Sequence, residues 1–285
     1  MTSRLLRAAA GSAIGLTVQG DPAAEHTVLL CHPAPGCSGF DPDPLVTNSR
    51  SVRILSADRP GYGASDPERG ATIGLDPTIA DRAVLDELRS AGTRLDGVVG
   101  WGFGGLVALR LAAALPDEVD RVVLVQTSRP HSPLYGLLAR RSRAWMQQHH
   151  DPLLARSAFE AGTGIRSLSL VGAGPSDEAL RLPGLASRLE HMLDRAALQG
   201  DAGVQFDRHA WQRRDWSRVL GGIRADVLLV YGERDERIGP GEGDWFARHL
   251  PTAEIEWIRE AGPLAIASEW DRILRFVTAT GKKGS

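Results

Sequence analysis

The chain has 285 residues, 42% of them hydrophobic and 24% charged, with a formal net charge of −2. That is enough chain for one sizeable globular core, and the near-neutral charge gives no electrostatic reason to expect nucleic acid or an anionic membrane as a partner. Cys31 and Cys37 are the only cysteines. They are read as free thiols in a reducing, cytoplasmic setting rather than as a disulfide framework.

Residues 3–10 and 13–19 are expected as two short strands joined at Gly11-Ser12. The apolar stretch after Arg4 is broken by Arg7, so it is too short for a signal peptide or a membrane span. His26 to Cys31 is a compact apolar strand, and it runs into a loop rich in Pro and Gly, His32 to Gly39. A strand over Ser51 to Ala57 leads into Asp58-Arg59-Pro60-Gly61-Tyr62-Gly63-Ala64-Ser65-Asp66. Residues 77–91 are predicted as a helix with Ile79, Ala83, Leu85 and Leu88 roughly along one side. The strand over 95–100 meets a glycine-rich turn, Gly100-Trp101-Gly102-Phe103-Gly104-Gly105, after which apolar residues recur at helical spacing until Pro116. A further strand covers 119–126.

Strands alternating with helices at this spacing call for a parallel sheet with helices on both faces. Beyond Thr127 the alternation stops. Residues 128–216 hold Arg-rich and Leu/Ala-rich helical segments divided by Pro130, Pro133, Pro152, Pro175 and Pro183. The alternation resumes with a strand over 225–231, the Gly232-Glu233-Arg234-Asp235 turn, a helix over 241–250 and a strand over 254–258. The loop Arg259 to Leu264 and a helix from about 266 follow. The expected organisation is one α/β core domain from 1–127 and 217–280, an inserted helical segment at 128–216, and a frayed tail at 281–285.

The glycine turn admits two readings. Gly100, Gly102 and Gly105 fit G-x-G-x-x-G, but the next strand ends Val125-Gln126-Thr127 without the acid that dinucleotide binding requires. The other reading is a nucleophile elbow, a strained strand-to-helix turn that lifts one side chain over the end of a parallel sheet. With His32 to Gly36, Asp58 to Asp66 and Arg213-Arg214-Asp215-Trp216, this turn resembles the α/β-hydrolase superfamily, in its capped peptidase and esterase branch. The resemblance implies a mostly parallel central sheet with helices on both faces and a helical cap, here 128–216, over its active end.

The resemblance also implies a site, and the residues depart from it. The family pattern Gly-x-Ser-x-Gly puts the nucleophile at residue 102, which is glycine. The triad acid falls on Asp235, and the triad histidine falls on Pro263 in Gly262-Pro263-Leu264. The oxyanion donors implied are the backbone N–H groups of Ala34 and Phe103, with Pro33 in place of the usual glycine and His32 bracing the loop. Trp101 flanks the elbow, and Arg129 lies where relatives place pocket-lining groups. Glycine at 102 relaxes a turn that would otherwise cost about 1–3 kcal/mol in backbone strain, but it removes the only hydroxyl able to attack. Proline has no proton to transfer, so Ser-His-Asp hydrolysis is not expected.

Two residues remain as candidates for other chemistry. Asp235 is either a surviving base or one half of a structural pair with Arg234 or Arg237. Cys37 is either a replacement nucleophile or a small apolar filler. His131, His149, His150, His191 and His209 lie in the inserted segment, and no metal-ligand spacing is present, so neither metal nor cofactor is expected. The function expected first is a repurposed, cofactor-free lyase, cyclase or isomerase acting on a carbonyl-bearing metabolite through the oxyanion donors and Asp235; the alternatives are a catalytically dead ligand-binding or partner-stabilising protein, and a residual hydrolase using Cys37 or a water held by Asp235. Each takes a partly apolar small molecule in a lidded pocket, and a homodimer is compatible with all three.

Overall fold

The computed structural model describes residues 1–8, 11–68, 79–211 and 216–279. Its first third holds β1 (Thr2–Arg7), β2 (Ala13–Gln19), β3 (His26–Cys31), α1 (Pro44–Ser49), β4 (Val52–Ala57), α2 (Ile79–Ser90), β5 (Gly97–Trp101), α3 (Gly104–Ala114) and β6 (Arg121–Val125). Then come α4 (Pro133–His150), α5 (Pro152–Glu160), α6 (Leu185–Ala196), α7 (Ala202–Trp211) and α8 (Trp216–Gly221), with short 3-10 turns at Ser167–Leu170 and Glu178–Arg181. The chain closes with β7 (Asp226–Gly232), α9 (Pro240–His249), β8 (Ala253–Ile258), α10 (Ala265–Ser268) and α11 (Trp270–Val277).

The strands form one eight-stranded sheet in the order β1-β2-β4-β3-β5-β6-β7-β8. β1 and β2 pair antiparallel, as do β2 and β4, and every other pair is parallel. Helices cover both faces of the centre, so β5 (GVVGW) and β6 (RVVLV) read as unbroken apolar runs and are buried along their whole length. β1 is an exposed edge, and Arg4 and Arg7 blunt it against pairing with other chains. α11 buries Trp270, Ile273, Leu274 and Val277, which is one stripe at helical spacing.

The connections place the site. From β3 the chain turns to one side to form β4, then crosses back to add β5 on the other side. The carboxyl ends of β3 and β5 therefore flank the topological switch point, where open α/β sheets bind ligands. The register sets Cys31 beside Gly100 and Trp101 beside Val125, so the loop after β3, the turn after β5 and residue 126 leave the sheet at one level.

The differences from the expected elements are local. β1 ends at Arg7, and the Ala9 and Ala10 part of the strand predicted to residue 10 lies outside the described residues. α1 was not anticipated, although Asp43 caps it through Leu45 and Val46 amides with Pro44 following, a standard helix start. The single final helix is two, α10 and α11, meeting at Glu269. The Arg213-Arg214-Asp215 part of one family-like stretch and the 281–285 tail also lie outside the described residues.

Candidate functional site

Gly102 turns the chain from β5 into α3 with φ +55°, in the left-handed region that favours glycine. Its N–H donates to Val125 O at 2.9 Å, and its carbonyl accepts from Gly105 N at 3.1 Å. Close approach explains the neighbouring Gly105, where a Cβ would stand 2.0 Å from Thr127 Oγ1. At 102 there is room: a Cβ would meet only Pro33 Cβ, at 3.5 Å, and Pro33 Cα, at 4.0 Å. The Pro33 ring thus faces the position from which a residue 102 side chain would project.

The loop carrying Pro33 and Ala34 is held by a buried polar cluster. His32 Nδ1–H donates to Pro33 O at 3.0 Å, while its Nε2 accepts from Arg59 N at 3.2 Å. Burial, with Arg59 beside it, pushes the imidazole well below its ordinary pKa, so His32 is a neutral brace. Arg59 donates to His32 O at 2.6 Å and Pro33 O at 2.8 Å, and it grips Asp207 of α7 through two bonds of 2.8 and 2.7 Å. Tyr62 Oη–H donates to the same carboxylate at 2.8 Å. The inserted helical segment is therefore tied to the β3 loop by a buried ion pair.

The N–H groups of Ala34 and Phe103 donate to no backbone carbonyl or side chain among the described residues. Both residues line a cavity beside Gly102 of about 30 Å³, roughly one water's share of the liquid. Trp101, Leu134 and Leu138 give apolar wall to the same space, and Gln126 and Ser128 join it. Gln126 has φ +47°, and its Nε2–H donates to Gly262 O at 3.0 Å. Gln126 Oε1 and Ser128 Oγ are buried without a hydrogen-bond partner among the described residues.

Asp235 lies in the turn after β7 with its side chain fully buried. Arg237 encloses it: Oδ1 accepts from the Arg237 N at 2.9 Å and Nε at 3.2 Å, and Oδ2 accepts from Nη2 at 3.2 Å. Nη2 also donates to Val171 O at 3.1 Å, on the inserted segment. Arg237 lines the Gly102 cavity and also a neighbouring cleft of about 300 Å³ that contains Asp235, Gly262 and Pro263. The guanidinium thus holds the acid that an imidazole at residue 263 would have used. Asp177, which shares that cleft, has its carboxyl pushed up by burial.

Two candidates need correction. Cys37 is fully buried, and its single S–H is within reach of two carbonyls, Met192 O at 3.2 Å and Ser38 O at 3.3 Å from Sγ. Burial, reinforced by Asp58, pushes its pKa far up, so a nucleophilic thiolate does not form there. Arg129 does not line the Gly102 cavity. Its N–H donates to Glu242 Oε2 at 2.6 Å, and its half-exposed guanidinium lies 3.8 Å from Glu242 Oε1 on α9. The histidines of the insertion are also elsewhere: His149 stacks on Trp145, His150 bonds Ala197 O, and His209 bonds Gln205 O. Among the described residues no group of three His, Cys, Asp or Glu side chains could hold a metal ion.

The residues missed from sequence are Gln126, Ser128 and Asp207. Gln126 and Ser128 flank Thr127 just past a predicted strand end, but nothing in the sequence signals a positive φ or an unpaired side chain. Asp207 lies in a segment with no strand to register it against the core.

A parallel sheet with a switch point, a glycine elbow at its centre and a braced loop after β3 define an α/β-hydrolase-fold protein. Residues 26–267 match the family described as alpha/beta hydrolase fold, and the chain belongs to it. It is similar to the pimeloyl-[acyl-carrier protein] methyl ester esterases of Aromatoleum aromaticum and Nitrosomonas europaea. The first is 28% identical, with 74% of this chain and 80% of that protein covered. The second is 30% identical, with 73% and 76% covered. An esterase structure from a Rhodococcus species superposes with a TM-score of 0.68 at 20% identity, covering 99% of this chain and 100% of that one, a likeness of fold.

Proposed function

We propose that this chain is a catalytically silent α/β-hydrolase-fold protein that binds a partly apolar small molecule beneath a helical cap formed by residues 128–216. The observation that carries this reading is the Asp235–Arg237 pair. A buried carboxylate with no histidine to orient needs another cation, and Arg237 supplies it from two residues away. Residue 102 brings no hydroxyl and residue 263 no imidazole, and Cys37 is locked away from the cavity. The esterase chemistry in the relatives' names therefore has no nucleophile and no base here. The unspent N–H groups of Ala34 and Phe103 favour a second reading, in which the cavity polarises a carbonyl as a cofactor-free lyase, cyclase or isomerase.

The test is exposure of the purified protein to a fluorophosphonate probe and to p-nitrophenyl and methyl esters. We expect neither labelling nor saturable turnover. Saturable hydrolysis that is lost on Asp235→Asn or Cys37→Ala would overturn the reading.

A further inference from the structure

We propose that the inserted segment carries a second binding site, between α4 and α5, which takes a small carboxylate with a flat apolar body, an arylalkanoate. The site is a pocket of about 430 Å³ bounded by the C-terminal half of α4, by α5 and by residues 162–166. It shares no lining residue with the Gly102 cavity, so it stands whether or not that cavity binds anything.

The space is large enough for a ligand. About 430 Å³ lies within the range of small-molecule sites, whereas the 30 Å³ beside Gly102 does not. Glycine keeps it open. Gly162 and Gly164 line the pocket without a side chain, and a Cβ on Gly162 would meet nothing within 4 Å. Trp145, Ala155 and Ile165 supply apolar wall. His149 stacks on the Trp145 indole with centroids 4.8 Å apart and planes 24° apart, which holds that ring in place.

The polar lining favours an anion. Arg166 lines the pocket, and its guanidinium has no ion-pair or hydrogen-bond partner among the described residues. Gln148 lines it too. Its Oε1 accepts from Ile165 N–H at 3.2 Å, a group that can only donate, so the side chain has its NH₂ left to offer. A second guanidinium, that of Arg141, donates to Ser169 Oγ at 3.1 Å, and that hydroxyl donates to Arg166 O at 2.6 Å. No acidic residue lines the pocket among the described residues. The carboxylates nearest in sequence are engaged, Glu160 with Arg156 and Asp151 with the Leu153 and Leu154 amides. Asp194 on α6 stands 3.7 Å from His149. The C-terminus of α4 contributes about half a negative charge, which the two guanidiniums exceed. A guanidinium fork and an amide NH₂ match the two oxygens of a carboxylate. A neutral amide of the same body keeps the apolar contacts and loses the charge, and an ammonium meets Arg166 as a like charge.

The test is NMR on the full-length protein, isotopically labelled at tryptophan. Its seven indole N–H signals include Trp145 in this pocket and Trp101 at the Gly102 cavity, assigned through Trp145→Phe and Trp101→Phe. The ligands 3-phenylpropanoate, 3-phenylpropanamide and 3-phenylpropylamine share one body and are titrated at neutral pH. The acid should shift the Trp145 signal saturably and bind about fivefold or more tighter than the amide, with the amine weakest. Arg166→Gln, at an exposed position, should bring the acid to the affinity of the amide and leave the amide unchanged. Ala155→Phe should fill the pocket and abolish binding of both. Equal affinities for acid and amide would overturn the proposal, as would a preference that survives Arg166→Gln. So would a shift of Trp101 alone, or no saturable shift of Trp145. If a variant fails to fold, the wild-type ranking at Trp145 decides.

Discussion

Replacing Gly102 with alanine isolates the backbone conformation from everything else at the elbow. The added methyl meets Pro33 Cβ at 3.5 Å, an ordinary van der Waals distance, so no clash contributes. What remains is φ +55°, which costs a residue with a Cβ about 1–2 kcal/mol. Restriction of the unfolded chain returns about 0.4–1 kcal/mol, leaving a net loss near 1 kcal/mol. For 285 residues the unfolding entropy is about 0.6 kcal/mol/K, so the midpoint should fall by about 2 °C. Two reference variants bracket this result. Gly241→Ala in α9 has open space and no positive φ, and should raise the midpoint by a similar amount. Gly105→Ala drives a Cβ to 2.0 Å from Thr127 Oγ1 and should lower it much further. Thermal melts by circular dichroism or calorimetry, without ligand, give all three. A midpoint for Gly102→Ala at or above wild type, with the references behaving as stated, would refute the strained-elbow assignment.

Asp207→Ala leaves Arg59 charged and unpaired in the core, and should cost about 3–5 kcal/mol in urea unfolding; a loss under 1 kcal/mol would mean that the pair is replaced by water. Gly102→Ser with Pro263→His should not react with a fluorophosphonate, because Arg237 still holds Asp235; adding Arg237→Ala should allow labelling, and labelling of the double variant alone would show that the pair does not block the acid. Burial pushes the Asp41 carboxyl up to about 6 from 3.8, outweighing the hydrogen bond from Thr47. Its folded pKa lies above its unfolded one, so ionisation is a cost that is absent below about pH 4 and complete above about pH 6. Relative to Asp41→Asn, the wild type should therefore lose about 2 kcal/mol between urea melts at pH 4.5 and 7.5, part of the loss having already occurred below pH 4.5; parallel curves would refute it.

The sheet was legible because its strands are two-face-buried apolar runs between turn residues, and the helices because of their spacing. The site was legible in its losses: Gly102 and Pro263 are chemical facts of the sequence, needing no coordinates. Where the surviving groups point was not legible. The pairing of Asp235 with Arg237 was one of several local options, and only the turn geometry selects it over Arg234, which turns outward to Glu178 and Glu260. Cys37 is adjacent to the loop in sequence, yet it faces α6 rather than the cavity. Arg129 leaves β6 as expected but turns to α9. Each depends on a contact more than 60 residues away or on a side-chain direction, and neither is encoded in local spacing.

The persistence of Asp235 is the point on which function turns. A buried, ionised carboxylate without a partner costs several kcal/mol, so once residue 263 is not a histidine the chain must either change the acid or neutralise it. Arg237 does the second and at the same time spends a bond on Val171 O, which fastens residues near 171 to the core. The acid is thereby converted from a group that orients a base into one end of a structural tie between the β7 turn and the inserted segment. Its retention is accounted for without catalysis. The unpaired oxygens of Gln126 and Ser128 have no such account, and they lie on the cavity rather than on the tie.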